Sequence, residues 1–198
     1  MPTPLHQHIA KILNIDPGFS EDISNRFRRL TVKKKTVLLS EGDLCRYIYF
    51  VEKGCLRLYF TKDNGTQQTT QFALENWWLS DYTAFNAQTT AQFAVETVEL
   101  SDILYIDSEG LEKLFADHPA FEKYFRLVHQ RAAAAAQNRI RFLYELTREE
   151  MYTNFITKYP AFCQRIPQYL LASFLGITPE YLSEIRKKAA MGNVTPRG

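Results

Sequence analysis

Between Ile166 and Lys188 the chain reads IPQYLLASFLGITPEYLSEIRKK. The second half of this stretch sets Glu180, Tyr181, Ser183, Glu184, Arg186, Lys187 and Lys188 on the outward positions of one helix. Polar side chains near a helix N-terminus can hydrogen-bond to base edges in a DNA major groove. Lys and Arg further along suit phosphates. The same residues also suit the solvated side of an ordinary helical hairpin, so the other elements must decide. No competing chemistry is spelled out. There is no nucleophile–base grouping, Gly-rich phosphate loop or metal spacing, so neither catalysis nor a cofactor is expected. Cys45, Cys55 and Cys163 are odd in number and scattered, and read as small apolar residues in a reducing compartment. His6, His8, His118 and His129 lack any metal-like spacing.

The elements around this stretch follow from capping and periodicity. A first helix over Ile166–Leu175 ends at Gly176, which suits the left-handed position after a helix. Thr178 caps the next helix, with Pro179 at its first position. Leu170, Leu171, Phe174, Ile177, Leu182 and Ile185 make a shared core. Upstream, Thr147 caps a helix with Glu149 and Glu150 in its first turn, and Pro160 stops it.

A long helix opens at His118-Pro119. Phe121, Phe125, Val128, Ala132, Ala135, Arg139, Phe142 and Leu146 recur along it at alternating steps of four and three. That is a heptad seam with Arg139 as its flaw. The small residues of Ala132–Ala136 allow close approach, and the seam predicts parallel pairing of two chains. Packing onto the chain's own β region is the alternative.

From Thr31 to Ile106 the pattern is short β runs between turns: TVLLS, YIYFVE, CLRLYF, TTQFAL, FAVETVEL and DILYID. Such spacing predicts a sandwich or barrel. Asn64-Gly65 marks a tight hairpin with positive φ at both central positions. SEGLEKLF forms a short amphipathic helix. Near the N-terminus, Ser20 caps a helix whose apolar side is Ile23, Phe27 and Leu30.

The chain has 198 residues, 45% of them hydrophobic, enough for a proper core. Residues 1–138 carry 15 Lys/Arg against 17 Asp/Glu, whereas residues 139–198 carry 9 against 5. The helical end is therefore the basic end, a hint of a polyanionic partner. No apolar run is long enough to span a bilayer, and the N-terminus lacks the pattern of a signal peptide. A soluble, cytoplasmic protein is expected.

In this order the parts resemble the cyclic-AMP receptor protein and fumarate–nitrate regulator (Crp/Fnr) family. LLSEGDLCRYIYFVEKGCLRLYF (38–60), NGTQQTTQFAL (64–74), LFADHPAF (114–121) and the 166–188 stretch carry the resemblance. It implies an α+β fold with three parts. Residues 1–118 form a cyclic-nucleotide-binding-like double-stranded β-helix (jelly roll), 119–146 a dimerisation helix and 147–198 a helix-turn-helix. The implied function is transcription regulation by a homodimer that binds DNA and answers to a small-molecule effector. A ligand- or protein-binding module of the same fold that has lost DNA binding is the alternative.

The chain departs from the family at both ends of that mechanism. Nucleotide-binding members present Gly-Glu and, about ten residues later, Arg-Ser. Here Ser80-Asp81 takes the first place, and no arginine stands near Thr90-Ala91-Gln92. A cyclic phosphate would meet Asp81 and no cation, so cyclic AMP and cyclic GMP are not the expected effectors. Ala136-Gln137 replaces the Thr-Ser pair of the adenine-contacting turn. Trp77, Trp78, Tyr82 and Phe85 either line a pocket for a flat, less anionic ligand or fill the cassette as core. Trp78, Asp81, Tyr82, Gln92 and Gln137 are the candidate ligand residues. In the helix-turn-helix, Glu180 takes the place of a base-contacting glutamate, while Pro179 and Glu184 stand where arginines are usual. Gln168, Thr178, Tyr181, Ser183, Arg186 and Lys187 are then the candidates for specific contacts, with Lys188 beside them. The closing AAMGNVTPRG is too short and too rich in Gly and Pro for the family's β-hairpin wing.

Overall fold

The computed structural model describes residues 3–15, 23 and 25–190. The chain divides into two compact units, Met1–Phe60 with Thr70–Ala132 and Thr61–Thr69 with Ala133–Gly198.

The first unit opens with helix α1 (Pro4–Leu13), capped by the Thr3 hydroxyl, which accepts the His6 N–H. The β region follows as eight strands: β1 (Arg28–Val32), β2 (Val37–Leu39), β3 (Tyr47–Lys53), β4 (Leu56–Thr61), β5 (Gln67–Ala73), β6 (Trp78–Leu79), β7 (Ala94–Thr97) and β8 (Ser101–Asp107). They form two four-stranded sheets, ordered β1-β8-β3-β6 and β2-β7-β4-β5. Ile48, Phe50, Leu56, Leu79, Val95 and Ile103 are fully buried and belong to one core. Each predicted run contains an observed strand because the period-two pattern and the turn residues agree. Gly54, between β3 and β4, has φ +102, and a Cβ there would lie 2.3 Å from Ser101 Oγ and 2.7 Å from the Leu100 carbonyl oxygen. The sharp return from β3 to β4 therefore requires glycine.

Three local expectations change. The apolar stripe drawn through Ile23, Phe27 and Leu30 does not stay on one helix: β1 starts at Arg28, and Leu30 is exposed opposite Ile103. Ser20, its predicted cap, lies outside the described residues. At Asn64-Gly65 only Gly65 has positive φ. The Gly65 N–H bonds to the Lys62 oxygen at 2.8 Å and the Lys62 N–H to the Thr66 oxygen at 3.0 Å. This is the longer hairpin turn with a left-handed closing glycine, not the two-residue turn. Short helix α2 (Tyr82–Ala87) and strand β6 appear where no element was expected, since six and two residues are too few to show a period.

After β8 come α3 (Ser108–Asp117), capped by Asp107, and α4 (Pro119–Glu145). At 1.5 Å per residue α4 is about 40 Å long. Phe121, Tyr124 and Phe125 bury its first turns in the β region's core.

Among its described residues the second unit holds the rest of α4 and four shorter helices: α5 (Arg148–Lys158), α6 (Pro160–Arg165), α7 (Gln168–Leu175) and α8 (Pro179–Ala190). Thr147 and Glu150 close a reciprocal capping box on α5. Pro160 does more than stop α5. It opens α6, where its missing N–H would have had no partner in any case. Helix α7 starts two residues later than expected because Ile166 and Pro167 are extended, as a residue before proline prefers. Gly176, at φ 71, ends α7, and the Thr178 hydroxyl oxygen accepts the Tyr181 N–H at the start of α8. The closing stretch read as too short for a wing lies, from Met191 onward, outside the described residues.

Candidate functional site

In the first unit the segment from Trp78 to Gln92 carries the candidate ligand residues. Trp78 is buried with its ring against Phe125, Phe50 and Phe27, at centroid distances of 4.8, 5.1 and 5.8 Å. Its Nε1–H donates to the Tyr124 hydroxyl at 3.0 Å, and that hydroxyl lies 2.8 Å from His8 Nδ1. Tyr124 thus accepts from tryptophan and shares a hydrogen bond with the His8 imidazole. Burial, reinforced by Arg131 and Lys11, lowers the His8 pKa to about 4, which leaves the imidazole neutral at pH 7. Burial also raises the Tyr124 and Tyr82 hydroxyls well above the ordinary phenol range. Tyr82 stands edge-on to His129 at 4.7 Å. Trp78 is thus core, joined by a hydrogen-bond chain to α4 and α1.

Asp81 is only 4% exposed and already fully engaged. One carboxylate oxygen caps α2 by accepting the Ala84 N–H at 3.1 Å, and the other accepts the Gln92 N–H at 2.9 Å. Backbone bonds tie the same knot together: Ala91 N–H to the Asp43 oxygen, Gly42 N–H to the Ala91 oxygen and Cys45 N–H to the Thr89 oxygen. Ser80 Oγ donates to the Tyr47 oxygen at 2.8 Å and lies 3.3 Å from Cys45 Sγ. All three cysteines are free thiols.

Trp78 and Asp81 therefore brace the fold and are withdrawn as ligand contacts. Gln92 contributes its backbone to the knot and keeps its side chain exposed. Gln137 is exposed in the second unit. The cation of β4 is also committed. Arg57, 4% exposed, bonds Glu96 through Nε at 2.6 Å and Nη2 at 2.5 Å, and lies 4.0 Å over the Tyr59 ring. No local pattern signals this buried pair, because Arg57 and Glu96 meet only through the pairing of β4 with β7. An anion entering the knot would meet a carboxylate that already holds the amides.

In the second unit Leu170, Leu171, Leu175, Leu182 and Ile185 are buried between α7 and α8. Glu180, Tyr181, Ser183, Glu184, Arg186, Lys187 and Lys188 are all exposed on α8, as are Gln168 and Thr178 before it. One of the three cations has an acidic partner: Lys188 Nζ lies 3.1 Å from Glu149.

The heptad seam turns inward at its two ends and stays exposed in its middle. Phe121 and Phe125 are 0% and 7% exposed inside their own unit, so both are withdrawn as dimer contacts. Val128, Phe142 and Leu146 are half-buried, while Ala132 and Ala135 are exposed. Arg139 donates to the Phe174 carbonyl at 2.7 Å and stacks 3.6 Å over its ring, and burial lowers its pKa to about 10. The flaw in the seam is thus a residue facing its own chain. The free apolar stripe lies one residue further round α4, at Ala133, Ala136, Ile140 and Leu143, with Tyr144 beside it. Ile140, Leu143 and Tyr144 are 54%, 40% and 88% exposed. Periodicity found the helix and its spacing but could not tell an inward face from an outward one.

Residues 29–118 match the cyclic nucleotide-binding domain family. No curated protein sequence matches the chain. Solved structures share its fold. The c-di-GMP-responsive global regulator CLP of Xanthomonas campestris is 17% identical, with 92% of this chain and 96% of that one covered at TM-score 0.73. CooA of Carboxydothermus hydrogenoformans, solved as a mutant, is 16% identical over 96% and 88%, also at 0.73. FixK2 of Bradyrhizobium japonicum is 16% identical over 87% and 89%, at 0.70. The structural neighbours are Crp/Fnr-family regulators. No helix among the described residues is long and apolar enough to cross a membrane.

Two outcomes follow from the engaged Asp81. Calorimetry with cyclic AMP or cyclic GMP is expected to give no saturable heat at physiological concentrations, and a micromolar dissociation constant would overturn this. Asp81→Ala strips partners from two N–H groups and is expected to destabilise the protein by about 1–3 kcal/mol. A lower denaturant midpoint at unchanged slope is the readout.

Proposed function

We propose that this chain is a Crp/Fnr-type transcription regulator that binds DNA as a homodimer through α7, the turn at Gly176 and α8. Its β domain answers to an effector other than cyclic AMP or cyclic GMP. The exposed face of α8 carries the reading. Tyr181 and Ser183 lie near its N-terminus, where a recognition helix meets base edges, and Arg186 and Lys187 lie further along, where side chains reach phosphates. Burial of Leu182 and Ile185 against α7 fixes which side of α8 faces outward. The fold shared with regulators and the basic balance of residues 139–198 support it.

Homodimer formation is assigned to the Ala133–Ala136–Ile140–Leu143 stripe of α4. Its steps of three, four and three repeat as a heptad does. Its alanines permit close helix approach, and a second copy would cover Ile140 and Leu143. Replacing both with glutamate places like charges opposite each other. The variant is expected to sediment as a monomer at micromolar concentration, and a persisting dimer would refute this seam.

The exposed Glu180 and Glu184, with Lys188 already paired to Glu149, favour the second reading, a partner-binding module without DNA affinity. Anisotropy titrations on a selected site and on random DNA at two salt concentrations separate the two. Under the DNA-binding reading, Arg186→Ala with Lys187→Ala weakens all sequences alike and lowers the salt slope by about one unit per lost phosphate contact. Equal, salt-insensitive binding by wild type and double variant would favour the second reading.

A further inference from the structure

The end of α7 is held from three other elements, all within the second compact unit. The last carbonyls of a helix lack intrahelical partners. Here the Ser173 oxygen accepts from Gln68 Nε2, the Phe174 oxygen from Arg139 at 2.7 Å and the Leu175 oxygen from Arg148 at 3.5 Å. The donors come from the β4–β5 hairpin, from α4 and from α5.

The Ser173 hydroxyl adds a second grip. It accepts the Thr69 N–H at 2.8 Å, donates to the Gln67 carbonyl at 2.8 Å and lies 3.2 Å from Thr69 Oγ1. Strand β5 is the outer strand of its sheet. In an extended strand the N–H of one residue and the C=O of the residue two earlier point the same way. On an outer strand that way is the unpaired side. One hydroxyl, able to donate once and accept twice, therefore occupies a ladder position that a further strand would otherwise fill.

We infer that Ser173 and Arg139 are positioning residues for α8, setting the direction in which it leaves the turn and hence its choice of DNA sequence. Only Gly176 and Ile177 separate α7 from the Thr178 cap, so fixing the end of α7 fixes the start of α8. Base contacts depend on the direction of each donor and acceptor, whereas phosphate attraction tolerates reorientation. Loosening the grip therefore costs sequence preference before it costs general affinity. The inference rests on the DNA-binding reading above. It extends that reading by making the hairpin tip and α4 sensitive to what α8 touches. Coupling of this kind is reciprocal: if the grip shapes DNA choice, specific DNA must tighten the grip.

The test uses the full chain with Ser173→Ala, and Arg139→Gln as a second variant. In each, the preference for a selected site over random DNA is expected to fall about tenfold, with affinity for random DNA and salt slope unchanged. Amide hydrogen exchange supplies a readout that a merely structural role would not move. Binding of the selected site should slow exchange at Thr69 in the wild type and not in Ser173→Ala. Unchanged preference in both variants, or Thr69 exchange in the wild type that ignores specific DNA, would overturn the inference while leaving DNA binding intact. A wild type without DNA affinity would overturn the reading beneath it, and the inference with it.

Discussion

A carboxylate sunk to 4% exposure must find hydrogen-bond donors, and Asp81 finds two backbone N–H groups, those of Ala84 and Gln92. Much of the first unit's character depends on that one constraint. The two bonds fasten the start of α2 to the strand-leading segment before β7. The neighbouring turns at Gly42–Cys45 join the same knot through backbone bonds. Burying the charge without these donors would cost several kcal/mol. The knot must therefore stay closed, and a closed knot has its amides taken and a negative charge in place. A domain that matches the cyclic nucleotide-binding family thus holds a buried carboxylate and committed amides at Ser80-Asp81.

The same rule operates in the second unit, where the exposed carbonyl end of α7 takes donors from the hairpin, from α4 and from α5. Arg139 serves twice. Its guanidinium meets the Phe174 carbonyl and lies flat on the Phe174 ring, the geometry a delocalised planar cation favours. With that arginine committed to its own chain, its side of α4 is occupied, and Ile140, Leu143 and Tyr144 on the next face stay exposed. Electrostatics on α8 follow a similar economy. Glu149 already holds Lys188, while Arg186 and Lys187 stay exposed beside it.

Local chemistry made much of the fold legible from the sequence. Thr147, Gly176 and Thr178 announce helix ends because a cap is a hydrogen bond between near neighbours. The β runs announce themselves because alternation and turn residues coincide. Strand β1 is hidden in the sequence because Ile23, Phe27 and Leu30 happen to match helical spacing across the change from one element to another. Trp78 and Asp81 were legible as unusual residues at the right place, but not as core and brace.

What the sequence by itself determined was the order and kind of the elements, the basic helical end and the missing cassette arginine. Each depends on residue type and short-range spacing. Only the tertiary structure decided which faces are spent. Tyr124 meets His8 across 116 positions, Ser173 meets Thr69 across 104, and Arg139 meets Phe174 across 35. A heptad records that one side of a helix is apolar. Whether that side meets its own chain or another depends on groups brought alongside by folding, and no local pattern encodes them.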